Sequence, residues 1–413
     1  MNSLFINKNF SLMWFYNFTS ILNGRFRELV IPLIVLGFTQ SPFITALVAL
    51  SQQVGAIFFS IPIGTWLEAK NKVLCASVSN FFYGICLFLL AYIFSFDVLN
   101  SLLSAVILFI MGLLALISRT AFAAMIPEMS GRENLLRAHT SLEGADAICT
   151  IIGPILGGIL LSQIGASPTL VLCGGLSISG MMILSLIKRV NNVQPTHEKR
   201  RVNLHTFTRE SVVGLTILLA NPTQRMVSFS HCVLSFATVF IPLTVIFHAD
   251  TLLQFSAGEI GIILSCAGIG NLIGVMIMNW FRTMNWLTLL CSLLATSSLG
   301  VLLICVSENI YILSTGMIFF DGALSMAFVA QISVHQGITP DEYITRVRSA
   351  TFVTGGLFAM MGTFLAGLIP ELLSSYVSLF IGFLSLLLPA IFLIRWHKYS
   401  SRFGDIKPIS IKT

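Results

Sequence analysis

"ILNGRFRELVIPLIVL", residues 21–36, places Arg25, Arg27 and Glu28 in the middle of an apolar run that extends from Phe10 to Phe38. An ionisable side chain at the centre of a membrane helix costs roughly 2.5–3.5 kcal/mol on insertion scales. Three charges in four positions therefore need a partner or a use. The rest of the chain decides whether this run is a membrane helix. Hydrophobic residues make up 56% of the sequence and charged residues 10%, with a mean hydropathy of +0.91. A water-soluble domain carries roughly 25% charged residues. Apolar stretches of ~20 residues, each long enough to cross a bilayer as a helix, lie at 10–38, 43–67, 73–96, 99–126, 136–164 and 168–188. They resume at 225–248, 257–281, 286–306, 310–337, 347–370 and 374–397. The pattern predicts an all-α integral membrane protein with about twelve transmembrane helices.

The first run is too long for a signal peptide and lacks a small-residue cleavage site, so it is expected to act as an uncleaved anchor. The eight cysteines are scattered singly through apolar segments, with no CxxC pair and no histidine at metal-ligand spacing. They read as small buried hydrophobes, and neither a metal nor a cofactor is expected. There is no HExxH, GxSxG or P-loop pattern, so the chain does not read as an enzyme or as an ATP-driven pump.

The net charge of +6 is explained by where the charges lie, and nucleic acid is not an expected partner. If the connections are numbered alternately from an inner N-terminus, the inner segments hold Lys8, Lys70, Lys72, Arg132, Arg137, Lys188, Arg189, Arg282, Arg346, Arg348 and Arg395, among others. The outer connections hold no Lys or Arg and carry Asp97, Asp250, Glu259, Glu308 and Glu371. This is the positive-inside pattern, and it predicts a multi-pass protein of the cell membrane (the inner membrane in a Gram-negative cell) with both termini cytoplasmic. The tail "RWHKYSSRFGDIKP", from residue 395, suits anionic membrane lipid.

The longest inner connection, "KRVNNVQPTHEKRRVNLHTFTRE" (188–210), is basic and lies near the midpoint. "SVVGLTILLANP", which follows it, reads as a short helix along the membrane. The expected organisation is a six-helix half over 1–187, a cytoplasmic linker with an amphipathic helix over 188–224, and a second six-helix half with a basic tail over 225–413. Similar segments after the fourth and tenth spans, "IPEMSGRENLLRAHTSL" and "ITPDEYITRVRSATFV", point to duplicated halves.

Four local matches make the chain resemble the major facilitator superfamily, and within it the branch of enterobactin exporters and macrolide efflux proteins. The opening "INKNFSLMWFYNFTSIL" with "IPLIVLGFTQSP" resembles the start of that branch. "PEMSGRENLLRA" is similar to its P-x-L-V-x-R-E-x-L segment, and "IIGPILGGIL" to the fifth-helix G-P-x-x-G-G motif of facilitator exporters. "TPDEYITRV" is similar to the turn after helix ten, with Thr345 where Gly is usual, and Gln331 sits where the branch often has Gln. The resemblance implies the major facilitator fold, two six-helix halves with a central cavity, and secondary transport of a small molecule by a monomer. It also implies that Gly153, Pro154, Gly157 and Gly158 form a tight seal between halves. The loop after helix two, "GTWLEAKNKV", keeps Gly64 and has Glu68 where the family has Asp, but Ala69 replaces an Arg, so its charge latch reads as weakened.

The other intramembrane charges are Arg119 in the fourth span, Glu143 and Asp146 in the fifth and Asp321 in the tenth, with His231 in the seventh. Arg25 and Glu28, three apart, share a helical face, while Arg27 points about 200° away from Arg25. By the resemblance, most of these helices line or border the cavity. Arg25, Arg27 and Arg119, with Gln331, are the candidate substrate-binding residues, because guanidinium forks match carboxylate and catecholate oxygens. Glu28, Asp146 and Asp321 are the candidate proton-coupling residues. The opposing reading makes Arg25–Glu28 and Arg119–Asp146 structural pairs. The expected function is an exporter, coupled to protons or to another ion gradient, of a small organic solute of anionic, siderophore-like type. The alternatives are a drug or macrolide efflux pump, or an importer of a siderophore or related solute.

Overall fold

The computed structural model describes residues 6–68, 70–96, 101–131, 134–187, 216, 218–219, 221–281, 283–340, 344–396 and 400–402. Thirteen helices run through them. In the first part of the chain these are α1 (Lys8–Thr39), α2 (Pro42–Phe58), α3 (Ser60–Glu68), α4 (Lys72–Ser95), α5 (Ser101–Ser130), α6 (Leu135–Ile164) and α7 (Ala166–Ser185). In the second part they are α8 (Pro222–Phe247), α9 (Ala257–Ile277), α10 (Trp286–Cys305), α11 (Ile310–Ile338), α12 (Ile344–Leu372) and α13 (Ser375–Ile394). A single bridge, Asn285 to Arg402, is the only strand-like pairing among the described residues.

Ten of these helices are long and apolar enough to cross a membrane by length and composition. The two exceptions to the expected twelve spans have sequence causes. α1 has 32 residues, but Arg25, Arg27 and Glu28 place three charges at its centre. The second span is broken into α2 and α3 at Phe59. Pro62, without an N–H, cannot bond the Phe58 carbonyl, and its ring crowds that carbonyl. Taken as one span, α2 and α3 complete the twelve.

Asparagine starts many of the helices. The side chains of Asn7, Asn71, Asn221, Asn285 and Asn309 accept from backbone N–H groups of the first turn, and each such cap is worth ~1 kcal/mol. In "TQSP", Gln40 ends α1 in the left-handed conformation, and the Ser41 hydroxyl accepts from the Ile44 N–H to open α2. Trp286, at the start of α10, is buried.

The chain divides into two units, Met1–Arg200 with Phe255–Ser265, and Arg201–Gln254 with Cys266–Thr413. In the first, α1 packs on α6 and α7, α4 on α5 and α7, and α2 on α5. In the second, α10 packs on α11 and α13, and α8 on α11, α12 and α13. Phe81, Phe82, Leu89, Val171 and Leu172 are exposed on the outside of the first unit, which suits a lipid-facing surface. The expected linker, with its amphipathic helix, and the basic tail lie almost wholly outside the described residues.

A buried polar knot fastens three helices of the first unit. Tyr16 of α1 and Ser118 of α5 share a 2.6 Å hydroxyl bond, and Asn80 of α4 donates to both at 3.1 and 2.9 Å. Inside a bilayer these groups have no water to fall back on. Asn80→Ala leaves the Tyr16–Ser118 bond intact, so it should cost about 1–2 kcal/mol. Ser118→Ala in addition should be less than additive, because the two changes remove one shared network. Thermal melting of the detergent-solubilised protein measures both, and strictly additive losses would mean that the three groups do not act together.

Candidate functional site

The charges of α1 fall into two environments. Arg25 donates to Glu28 on its own helix at 3.1 Å and to Asp146 of α6 at 3.4 Å. Its side chain is 30% exposed, against 66% for Glu28 and 41% for Asp146. Two carboxylates thus share one guanidinium, and with both ionised the group carries a surplus negative charge. Asp146 pairs with Arg25, not with Arg119 as the sequence allowed.

Arg27 turns to the other side, as its helical offset requires. Its Nε donates to the Asn23 carbonyl at 3.1 Å, one guanidinium nitrogen donates to the Tyr83 hydroxyl, and the guanidinium lies 4.5 Å from the centroid of the Tyr83 ring. A cation over an aromatic face is attracted by the ring quadrupole, the more so when desolvated. Asn23 in turn donates to the Cys173 carbonyl and the Ser177 hydroxyl of α7 at 3.1 and 2.9 Å. Arg27 is therefore held by α4, and its neighbour Asn23 by α7. Sequence reading left this arginine in need of a partner and missed Tyr83. A tyrosine at the middle of an apolar helix was the available signal.

Arg119 is different. Its neighbour Ser118 turns inward to the Tyr16–Asn80 knot, which leaves Arg119 about 100° further round α5 and exposed. It has no hydrogen-bond or ion-pair partner among the described residues. Glu143 on α6 is likewise exposed and without one.

The fifth-helix motif has a local purpose. A Cβ on Gly153 would overlap the Arg25 side chain, and one on Gly157 would press on the Phe26 backbone at 3.3 Å. A Cβ on Gly158 would overlap the carbonyl of Ala257, and Gly261 abuts the Pro154 carbonyl. Gly153 and Gly157 thus bring α6 against α1 beside the charges, while Gly158 faces the first turn of α9. Gly64 of α3 has open space around it, and the Glu68 side chain lies outside the described residues.

In the second unit Asp321 and Gln331 both lie on α11. Gln331 is buried, and its amide donates to the Val227 carbonyl at 3.5 Å and interacts with His231 of α8. His335, one turn beyond Gln331, is also buried, and sequence reading passed over it, although its spacing of four from Gln331 places it on the same face.

A family model described as the Major Facilitator Superfamily matches residues 13–363. Over 284 residues, 65% of this chain, the sequence is 26% identical to the enterobactin exporter EntS of Shigella boydii serotype 4 (strain Sb227), and the match spans 62% of that relative's length. Among solved structures, the chain is similar to a bacterial homologue of the iron transporter ferroportin in its inward-facing state, with a TM-score of 0.73 and 14% identity over 94% of this chain and 98% of that one. It is also similar to the nucleoside transporter NupG (D323A mutant), with a TM-score of 0.75 and 13% identity over 94% and 99%. A third, a bacterial metal transporter, gives 0.68 and 13% over 95% and 99%. At these identities the likeness is one of fold.

The clasp on Arg25 predicts unequal costs. Arg25→Gln leaves two carboxylates facing one another and should lower stability by ~1–2 kcal/mol, after allowance for their solvent exposure. Asp146→Asn leaves the Arg25–Glu28 pair and should cost less than half as much. Melting of the two purified variants distinguishes them, and an Asp146→Asn loss equal to that of Arg25→Gln would break the account.

Proposed function

The chain belongs to the Major Facilitator Superfamily and is a multi-span membrane transporter; on that premise we propose that it is a proton-coupled exporter of a small organic anion of siderophore type. The observation that carries the substrate class is Arg119, an exposed guanidinium on an apolar helix with no partner among the described residues. A guanidinium left without a carboxylate in a membrane helix is accounted for by an anionic ligand, whose paired oxygens its fork accepts. The similarity to an enterobactin exporter supports a chelating anion and outward transport. Arg25 and Arg27, each engaged within the protein, position helices in this reading, and Arg119 makes the principal contact with substrate.

Coupling is assigned to the surplus carboxylate on Arg25. With Glu28 and Asp146 both charged, the group is negative; a proton on one of them leaves a neutral pair that can sit in a less hydrated surrounding. Protonation and release would then accompany the alternation of access. Asp321, on the other half, remains a second candidate. The absence of Lys and Arg from the outer connections supports cytoplasmic termini. The fifth-helix glycines support a closed state that depends on close backbone approach.

The test is mass spectrometry of medium and cell extract from the source cells grown under iron limitation, with and without the gene. The expected result is a catecholate or carboxylate chelator lost from the medium and accumulated in the cells. In cells carrying Arg119→Gln, the half-saturating chelator concentration for export should rise about tenfold or more, the worth of one charge-assisted contact. Unchanged chelator profiles would overturn the siderophore reading, and unchanged kinetics in Arg119→Gln would remove that residue from the site.

A further inference from the structure

The second unit contains a buried polar seam that is short of hydrogen-bond donors. Gln224, Ser228, His231 and Ser235 recur on one face of α8 at spacings of four, three and four. Gln331 and His335 on one face of α11, and Thr339 just past its end, follow at spacings of four. The two rows run antiparallel. Gln224 donates to the Thr339 hydroxyl at 3.4 Å at one end, Gln331 interacts with His231 at the other, and His335 lies near enough to His231 for charge on one ring to oppose charge on the other. The seam follows α8 for about 16 Å, at 1.5 Å per residue. Gly355 of α12 makes room for it, since a Cβ there would overlap the His231 ring.

The hydrogen-bond distances favour one tautomer of His335. The Thr351 hydroxyl lies closer to the Val347 carbonyl, at 2.8 Å, and while it donates there its oxygen accepts from His335. Nε2 of His335 therefore carries the hydrogen, donating to Thr351 at 3.2 Å. In a neutral ring Nδ1 is then a bare lone pair. That atom is buried without a partner, and so are the amide oxygen of Gln224 and, by hydrogen-bond geometry, that of Gln331. Gln224 is 1% exposed, Gln331 2% and His335 8%. Ser228 Oγ and Nδ1 of His231 in the same seam are also buried without a partner; of these five atoms, the two amide oxygens and Nδ1 of His335 can only accept, and the Ser228 hydroxyl has one hydrogen to give. Buried acceptors without donors are costly, and since one hydroxyl cannot serve three of them, the remaining donors come from water or from added protons.

We propose that this seam is a hydrated proton-binding site that takes up one proton, shared between His231 and His335. Among the described residues, the facing groups leave that charge without a carboxylate. On α8 the only other titratable neighbours are Cys232, held by Thr354 of α12, and the exposed Arg225 at the helix start. On α11, Asp321 lies ten residues from Gln331, about 15 Å along the helix. α12 presents Thr351 and Gly355, with Arg348 exposed. α13 brings only Tyr376, which sits against His248. Gln331 and Gln224 supply carbonyl oxygens, which accept from an imidazolium or a hydronium-bearing water, and the second ring resists a second proton. The site differs from the carboxylates on Arg25 in chemistry and in place. It rests on the transporter reading only for the use made of the proton.

The test needs no substrate. Protein labelled with 15N in histidine, reconstituted in nanodiscs, is followed by NMR from pH 4.5 to 8, with the rings assigned through His231→Gln and His335→Gln. The expected result is that both rings titrate, that their curves together account for one proton, and that losing either ring moves the midpoint of the other by about one pH unit, as coupled sites do. Thr351→Val, which preserves the shape of the side chain, should change the His335 tautomer and serves if a histidine variant does not fold. Rings that keep one neutral tautomer across the range, or that titrate independently, would overturn the proposal. Failure of the export experiment with these titrations intact would refute the siderophore-export reading and leave the site standing.

Discussion

Arg25 is the hinge of the first unit, because it lies where a membrane helix least tolerates charge. Its guanidinium needs acceptors that lipid cannot give, and the protein supplies one from α1 itself and one from α6. That solution works only if the two helices approach closely, which Gly153 permits by presenting no side chain where Arg25 lies. The packing of α1 on α6 and the presence of an ion group inside an apolar bundle are thus a single arrangement. Removing either the glycine or the acids would undo it.

The same economy governs the other polar groups. Arg27 is met by Tyr83 and by a carbonyl of its own helix, Asn23 ties α1 to α7, and the Tyr16–Asn80–Ser118 knot ties α1 to α4 and α5. Helices in lipid gain nothing from the exclusion of water from their apolar faces, so small residues and hydrogen bonds determine which helix lies beside which. In the first unit α1 takes part in all of these bonds except the one from Asn80 of α4 to Ser118 of α5. That is the physical reason the most charged helix is also the most heavily fastened.

The helical class and the number of spans were legible from hydropathy alone, since a bilayer requires long apolar runs and little else. The break at Phe59 was also legible, in Pro62, and went unread because the run was judged by its length. The glycine motif was visible as a pattern, yet its contact with Arg25 depends on the pairing of two helices more than a hundred residues apart. Partner choice is where sequence reading stopped. Asp146 was equally available to Arg119 and Arg25 by charge, and only the packing of α1 on α6 selects between them. His335 escaped notice for another reason: a single histidine carries little information until its tautomer and its missing partners are known.

Two features that look alike in sequence, buried charge and buried histidine, therefore suit different tasks. The first unit neutralises Arg25 and Arg27 with groups fixed in place, leaving one surplus carboxylate on Arg25 and, among the described residues, one guanidinium without a partner at Arg119. The second holds neutral acceptors that lack donors, a condition that a proton relieves. An anion gains from the uncommitted guanidinium, and a proton gains from the donor-poor seam. The proposed exchange of an anion for a proton would draw on such opposite deficits, because each ligand must find a place that is incomplete without it.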